Sequence, residues 1–277
     1  MGKHTRDLTP EEQAKPYSKY YYRPPAVPDA ARMAAMDNPV DPAKATPIQR
    51  LNDLLNPGEL EVEAGWCQMP DGTGFIANRI PMPGVSVEMM DWWFAWFALE
   101  DLRYKLWYPP GHFAVSLSDK DRARALNDKL PMKQRRLRTE YVIENTNGPC
   151  DEKIGISFME AEAFGFDMSR FHSPNVGTAI CANGSALMLD PPPGLPKFKT
   201  AACLVHFVRE IPGGVELRTR FWMGWHVLNK KPWKLLPDVV RIPEIAIKGL
   251  ATHNVCEFSN LASFLPELYA EQKGQIA

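Results

Sequence analysis

The chain has 277 residues, with 32 Lys and Arg against 33 Asp and Glu, so its formal net charge is −1. Hydrophobic residues make up 45% of the chain, which is enough for a full core and excludes global disorder. A near-neutral chain gives no electrostatic reason to expect nucleic acid or an anionic membrane as a partner.

Targeting and redox signals are also weak. No apolar run approaches the ~20 residues that span a bilayer, and the N-terminal residues lack the apolar region of a signal peptide. The five cysteines are widely spaced without a Cys-x-x-Cys pair, which argues against a disulfide scaffold and a thiolate zinc site. We expect a cytoplasmic protein in which the cysteines act as small apolar residues.

Residues 1–64 form a proline-rich segment that differs from the rest of the chain. Proline fixes φ and removes amide donors, so the sequence predicts an arm with short helices at 28–36 and 47–55. Four tyrosines between Tyr17 and Tyr22 are too many for a free tail. We expect them to pack on the body of the protein or on a second subunit, and a homodimer is therefore one hypothesis.

From Gly65 onward the pattern is that of one globular domain, residues 65–277. A continuous aromatic helix is predicted over 90–107, and alternating segments predict strands at 136–144, 153–160, 201–210 and 215–227. The residues at 211–214 predict a hairpin turn between the last two strands. The chain closes with a helix over 243–272, whose proline suits a helix start. We expect an α+β fold with an antiparallel sheet curled around this helix.

The last helix carries two polar residues on an apolar stripe. The stripe comprises Ala246, Leu250, Leu261, Phe264 and Leu268. The same helical steps place His253 and Glu257 on that face, toward the core. Because a buried unpaired carboxylate costs several kcal/mol, it should be paired, protonated or bound to a metal. A simple His–Glu hydrogen bond remains the alternative.

Other candidates lie on the strands and on one turn. His112 follows the turn at 107–111, whose Pro and Gly residues suit an immobile ligand. His206 lies on an apolar strand face, opposite Thr219 or Phe221, and either fills the core or faces a pocket. Glu144 ends a strand and could be a ligand. Glu160 and Glu162 are rivals for that role on similar grounds.

Several segments taken together resemble the diacetylphloroglucinol hydrolase and phloretin hydrolase family. The segments span Gly65 to the C-terminus and lie at 103–112, 142–144, 206–214, 220–224 and 253–257. The resemblance implies a helix-grip (Bet v 1-like) sheet wrapped on a long C-terminal helix, with a smaller N-terminal part. It also implies a zinc-dependent hydrolase that cleaves the C–C bond between an acyl group and a phloroglucinol ring.

The resemblance implies a role for particular residues. One Zn²⁺ per chain would be held by His112, Glu144, His253 and Glu257. Tyr104 and His206 would contact the substrate and move protons. Candidates to line the ring pocket are Trp92, Trp93, Trp96, Phe221 and Trp222, with Val115 where a ring-binding asparagine is expected. Phe221 or Trp222 stands where a second tyrosine is expected.

These departures favour phloretin as the substrate, with diacetylphloroglucinol next. The reaction that the resemblance implies would be a retro-Claisen cleavage, in which the ring leaves as a stabilised carbanion after tautomerisation to its keto form. Two other hypotheses stay open at this point. One is a non-catalytic helix-grip module that binds apolar phenolic ligands. The other is a non-haem iron oxygenase with two His and one carboxylate.

Overall fold

The computed structural model describes residues 7–172, 175–194 and 197–276, so His4 of the arm lies outside the described part. The helices are α1 (Pro10–Gln13), α2 (Ala30–Ala34), α3 (Val87–Trp96), α4 (Asp101–Trp107), α5 (Asp119–Leu126), α6 (Met132–Arg135), α7 (Ala161–Phe164) and α8 (Glu244–Gln272). Short 3₁₀ helices cover Pro16–Tyr20, Ile48–Leu55, Phe97–Leu99 and Met168–Arg170. The strands are β1 (Gly65–Gln68), β2 (Gly74–Pro83), β3 (His112–Leu117), β4 (Thr139–Glu144), β5 (Glu152–Met159), β6 (Thr178–Met188), β7 (Lys199–Ile211), β8 (Gly214–Met223), β9 (Trp225–Leu228) and β10 (Lys231–Lys234).

Eight of these strands form one antiparallel sheet in the order β1-β2-β8-β7-β6-β5-β4-β3, and β9 pairs with β10 separately. Side chains alternate between the two faces of a strand. On β8, Leu217 and Phe221 therefore share one face, while Arg218 and Arg220 share the other. His206 on β7 pairs with Thr219 on β8, which is one of the two registers expected from the sequence.

The long helix α8 lies against the inner face of this sheet. It packs on β1 and β2 and also contacts α3 and α4. Its side chains reach strands near both edges of the sheet. Asn254 bonds to Asn78 on β2, near one edge, and His253 bonds to His112 on β3, at the other edge. The α+β class, the large antiparallel sheet and the C-terminal helix are confirmed.

Two predicted elements are interrupted. The aromatic helix breaks into α3, a 3₁₀ turn and α4, because Glu100 is extended (φ −149°, ψ 145°). The strand expected over 215–227 ends at Gly224, whose φ of 92° is incompatible with continued pleating. Strands β1, β2, β3, β6 and β10 were missed. In β2 and β6 the alternation is masked by Gly, Pro and small residues, and β1 and β10 have only four residues each. In β3 the alternation of Phe113, Val115 and Leu117 could have been recognised.

The arm packs on the body of its own chain. Tyr17 and Tyr20 are buried, the Tyr17 hydroxyl donates to Glu100 at 2.7 Å, and the Tyr20 ring lies 5.5 Å from that of Phe264. This is one of the two placements expected from the sequence. A homodimer stays a prediction.

Among the residues described, no helix combines the length and the apolar character needed to cross a membrane. All five cysteines are free thiols, and Cys67, Cys181 and Cys203 are buried.

Candidate functional site

Four polar side chains converge between one edge of the sheet and α8. His112 begins β3 and pairs directly with Glu144 at the end of β4. His253 and Glu257 lie one helical turn apart on α8, and all four residues are at least 92% buried. The structure therefore brings together the four residues that the resemblance implied as ligands.

Their donor atoms point toward a common centre. The two Nε2 atoms of His112 and His253 are 3.1 Å apart. His112 Nε2 lies 3.7 Å from Glu144 Oε2 and 3.6 Å from Glu257 Oε2. Ligand atoms of His112, Glu144 and His253 all lie within 4.8 Å of one another, a spacing that could hold a metal ion.

The position of His112 is set by the turn that precedes it. Backbone amides of Gly111 and His112 both donate to the Tyr108 carbonyl at 2.9 Å. A Cβ on Gly111 would lie 2.9 Å from His253 Cε1 and 3.0 Å from the Asn145 carbonyl, so only glycine fits beside the second histidine. The His112 ring also stacks on Tyr104, with centroids 4.2 Å apart.

Burial lowers the pKa values of His112 and His253, so both imidazoles are neutral, and it raises the pKa values of Glu144 and Glu257. Burial and the neighbouring His253 hold the pKa of His112 well below its usual range. Burial lowers the pKa of His253 to about 4, partly offset by the Asn145 backbone. Burial raises the pKa of Glu144 to about 7 and that of Glu257 well above its ordinary value.

The donor set fits a divalent cation. In the described part of the chain, the ion-pair partners of Glu144 and Glu257 are these histidines, not Lys or Arg. Neutral imidazoles facing two carboxyls without a Lys or Arg partner among the described residues form a nitrogen and oxygen donor set of the kind that can hold a divalent metal ion. A cation there would supply the missing positive charge.

A chain of hydrogen bonds behind the site orients its carboxylates. Asn78 Nδ2 donates to Asn254 Oδ1 at 2.9 Å, and Asn254 Nδ2 donates to Glu257 Oε1 at 2.9 Å. Glu257 is left with Oε2 facing His112. The Tyr104 hydroxyl donates to Glu144 Oε2. Such outer partners fix the geometry of metal ligands.

The site opens into an inner cavity of about 140 Å³ between the sheet and the helices. Tyr104, His206 and Phe221 line it. His206 Nδ1 pairs with Thr219 Oγ1 at 2.9 Å, and burial lowers the pKa of His206 to about 3, so the ring is neutral.

The other expected pocket residues lie elsewhere. Trp222 faces the opposite side of the sheet from Phe221 and donates to the Thr46 carbonyl. Trp92 and Trp96 stack on each other, and Trp92 donates to the Gln275 carbonyl beyond the cavity. Trp93 and Val115 also belong to the packed core outside the cavity lining. The rival carboxylates Glu160 and Glu162 are exposed.

Several lining residues were missed by the sequence analysis. They are Phe94, Phe97, Trp107, Glu140, Thr146 and Glu152, together with small residues of β6 and β7. Phe94 and Phe97 were missed because a continuous helix was expected over 90–107, whereas Phe94 lies on α3 and Phe97 lies in the 3₁₀ turn after it. Glu140 could have been found, because it lies four residues before Glu144 on the same strand face.

A larger outer cavity of about 670 Å³ adjoins the inner one. The two share Thr146, Glu152, Thr200 and Ala246 in their walls. The outer walls include the exposed apolar residues Phe198, Leu235 and Ile245. The inner cavity therefore lies beside a larger, mostly apolar cavity that is closer to the surface.

The chain is similar to a described protein family and to curated enzymes. The family model described as "DAPG hydrolase PhiG domain" matches residues 46–270. The chain is 32% identical to a phloretin hydrolase from Eubacterium ramulus, over 95% of this chain and 92% of that protein. It is 28% identical to a 2,4-diacetylphloroglucinol hydrolase from Pseudomonas sp, over 93% and 88% of the two chains. The chain belongs to the DAPG hydrolase family of enzymes.

Proposed function

We propose that this protein is a zinc-dependent hydrolase that cleaves the C–C bond between an acyl group and a phloroglucinol ring. His112, Glu144, His253 and Glu257 would hold one zinc ion per chain. The observation that carries the proposal is this buried set of two imidazoles and two carboxyls, which have no Lys or Arg as an ion-pair partner among the residues described, at the wall of a cavity that suits one ring. For scale, an engineered cavity of ~150 Å³ binds benzene.

Zinc in such a site lowers the pKa of a bound water toward ~7 and acts as a Lewis acid on oxygen. The chain's own residues bind and orient the substrate. Tyr104 stays protonated, since burial and Glu144 hold its pKa well above the ordinary value, and its hydroxyl is a donor at the edge of the site. With Nδ1 of His206 engaged by Thr219, Nε2 is the nitrogen left to accept a hydroxyl proton or donate one to the substrate.

The phenyl side chains of Phe94 and Phe221 in the cavity wall would exclude water from the phloroglucinol ring of the substrate. Phe94 and Phe221 lie within 6 Å of the His206 ring, at 5.6 and 5.9 Å between centroids. A neutral keto tautomer of the ring is favoured in this apolar setting over a solvated phenolate. One water balances the reaction: its hydroxyl adds to the acyl carbon, the C–C bond breaks to release the carboxylic acid, and the ring carbon takes the remaining proton, which Tyr104 or His206 would relay.

Phloretin is our first candidate substrate and diacetylphloroglucinol the second. The phenylpropanoyl chain of phloretin needs an apolar space beyond the ring. The outer cavity of about 670 Å³, with Phe198, Leu235 and Ile245 in its walls, provides a place for it. A compact second acetyl group would leave most of that space unfilled. The relative with 32% identity is named for phloretin.

We further propose that the sheet and α8 form a helix-grip fold of the Bet v 1 type. The contact of α8 with β2 through Asn254 and with β3 through His253 supports a sheet that curls around the helix. Cytoplasmic location is supported by five free thiols, which suit a reducing compartment.

The test is one incubation of purified, metal-analysed protein with phloretin and, separately, with diacetylphloroglucinol. Products are separated by chromatography, with and without chelator. Release of phloroglucinol and phloretic acid that stops with chelator and returns with zinc is expected. No turnover of either compound by protein that contains zinc would overturn the substrate assignment, and chelator-resistant turnover would overturn the metal assignment.

A further inference from the structure

Two further carboxyls line the inner cavity besides the candidate metal ligands: Glu152, which accepts a hydrogen bond from Thr146, and Glu140. Glu140 lies on β4 four residues before Glu144, on the same face of the strand. At about 3.3 Å per residue, the two backbone positions are about 13 Å apart. Glu140 lines the cavity and is fully buried, at 0% exposed.

Glu140 lacks hydrogen-bond partners among the residues described. Neither of its carboxyl oxygens accepts a hydrogen bond there. The nearest cation is Arg138, whose Nη2 lies 3.4 Å from Glu140 Oε2. That guanidinium already donates to the carbonyls of Phe94 and Arg135. A buried carboxyl is costly when its acceptors stay unused, so such a group in a native cavity calls for a ligand donor.

The surroundings define what that ligand can be. Ile156 is the cross-strand partner of Glu140, and Ile156, Phe94 and Phe97 all line the same cavity. Burial raises the pKa of Glu140 to about 7, against the opposing effect of Arg138. A cationic ligand would have to shed its hydration among these apolar walls, whereas a phenolic hydroxyl brings a flat ring and a single strong donor. The chemistry matches an aromatic hydroxyl.

We propose that Glu140 accepts a hydrogen bond from the ring hydroxyl para to the acyl group, and so selects trihydroxylated rings. This rests on the proposed function, which fixes the acyl carbon at the metal end. The two ortho hydroxyls then lie near the metal ligands. The para hydroxyl projects away from them along β4, toward Glu140.

The experiment compares two small ketones that differ only at the para position. They are 2,4,6-trihydroxyacetophenone and 2,6-dihydroxyacetophenone, and their binding is measured by calorimetric titration of the purified protein. Since a hydrogen bond to a charged or strongly polar buried group is worth about a 10- to 100-fold difference in affinity, the wild-type protein should prefer the trihydroxy ketone by that factor.

The main variant is Glu140→Leu combined with Arg138→Met. Replacing both partners of a buried ion pair by apolar residues is often neutral for stability. Because Arg138 also donates to the carbonyls of Phe94 and Arg135, circular dichroism is used to establish that the variant is folded before the titration. It should bind the dihydroxy ketone as the wild type does and lose the preference, to within about threefold. Glu140→Gln, which keeps an acceptor oxygen, should retain part of it.

Glu216→Gln is the matched control, because Glu216 is a buried carboxyl on the opposite face of the sheet, paired with Arg209. It should keep the full preference. The proposal is overturned by a wild-type protein without the preference, or by a double variant that keeps it. A protein that shows the preference but cleaves no acylphloroglucinol would refute the proposed function and leave the hydroxyl site standing.

Discussion

Two buried carboxylate clusters lie on opposite faces of the same sheet and are compensated in opposite ways. On the outer face, Glu63 bonds to Arg218 and to Arg220, the latter at 2.7 Å. Burial opposes ionisation of Glu63, but the two guanidinium groups outweigh it and lower its pKa to about 2. On the inner face, burial raises the pKa of Glu144 to about 7, and its neighbours are histidines.

The contrast separates a structural cluster from one built to bind. Glu63 has its positive charge within the chain, so it ties the arm to β8 without help. Glu144 and Glu257 have no Lys or Arg partner among the described residues, and a bound cation would balance their charge. A buried carboxylate with arginine partners is therefore a structural group, and a buried carboxylate without such a partner is a candidate ligand. The presence of a counter-charge, not burial, distinguishes the two clusters.

The largest expected effect comes from His253→Ala. The variant should lose stoichiometric metal, and activity should fall by more than ~100-fold, since even outer-sphere changes at metal sites cost 10- to 100-fold. Metal content by mass spectrometry and turnover of phloretin are the measurements. His172→Ala, which removes an exposed histidine, is the control. Full activity in metal-free His253→Ala would contradict the site.

Glu63→Ala should act on stability alone. Leaving two buried guanidinium groups unpaired costs about 3 to 5 kcal/mol of unfolding free energy, while metal content stays unchanged. Chemical denaturation measures the loss. Glu61→Ala removes an exposed partner of Lys44 and should change the free energy by at most about 1 kcal/mol. If folded Glu63→Ala lost metal, the two faces of the sheet would not have separate structural and metal-binding roles.

Asn254→Ala should loosen the metal site without dismantling it. Without the Asn254 amide, Glu257 Oε1 loses its donor and the carboxylate is free to rotate. We expect zinc affinity to fall by about 10- to 100-fold. Competition with a chromogenic chelator gives the constant. An unchanged affinity would show that Glu257 is held by other contacts.

The smallest effects are opposite pH slopes. The pKa of Glu63 is lowered from 4.5 to about 2 in the folded state. The wild-type protein should therefore lose its stability advantage over Glu63→Gln as the pH falls from 4.5 toward 2. The pKa of Glu140 is raised from 4.5 to about 7 in the folded state. The wild-type protein should therefore lose stability relative to Glu140→Gln as the pH rises from 4.5 to 7. Urea midpoints across pH test both, and slopes of the same sign would refute the comparison.

The sequence predicts the parts of this site that follow from local periodicity. His253 and Glu257 interrupt a helical apolar stripe, and His206 falls in a simple hairpin register, so both placements could be worked out. The pocket walls could not. Whether Trp92 or Phe94 faces the cavity cannot be worked out from periodicity, because the residues from Trp92 to Trp96 on α3 are all buried and form no single apolar stripe. The sheet order that brings β3 to α8 is a long-range result.

The pairing of His112 with His253 joins positions 141 residues apart in the chain. A zinc ion held between them would act as a reversible cross-link, closing most of the domain into one loop and lowering the entropy of the unfolded chain. The lifetime of the folded enzyme would then follow metal supply. A cell short of zinc would lose the protein to proteolysis, as well as its activity.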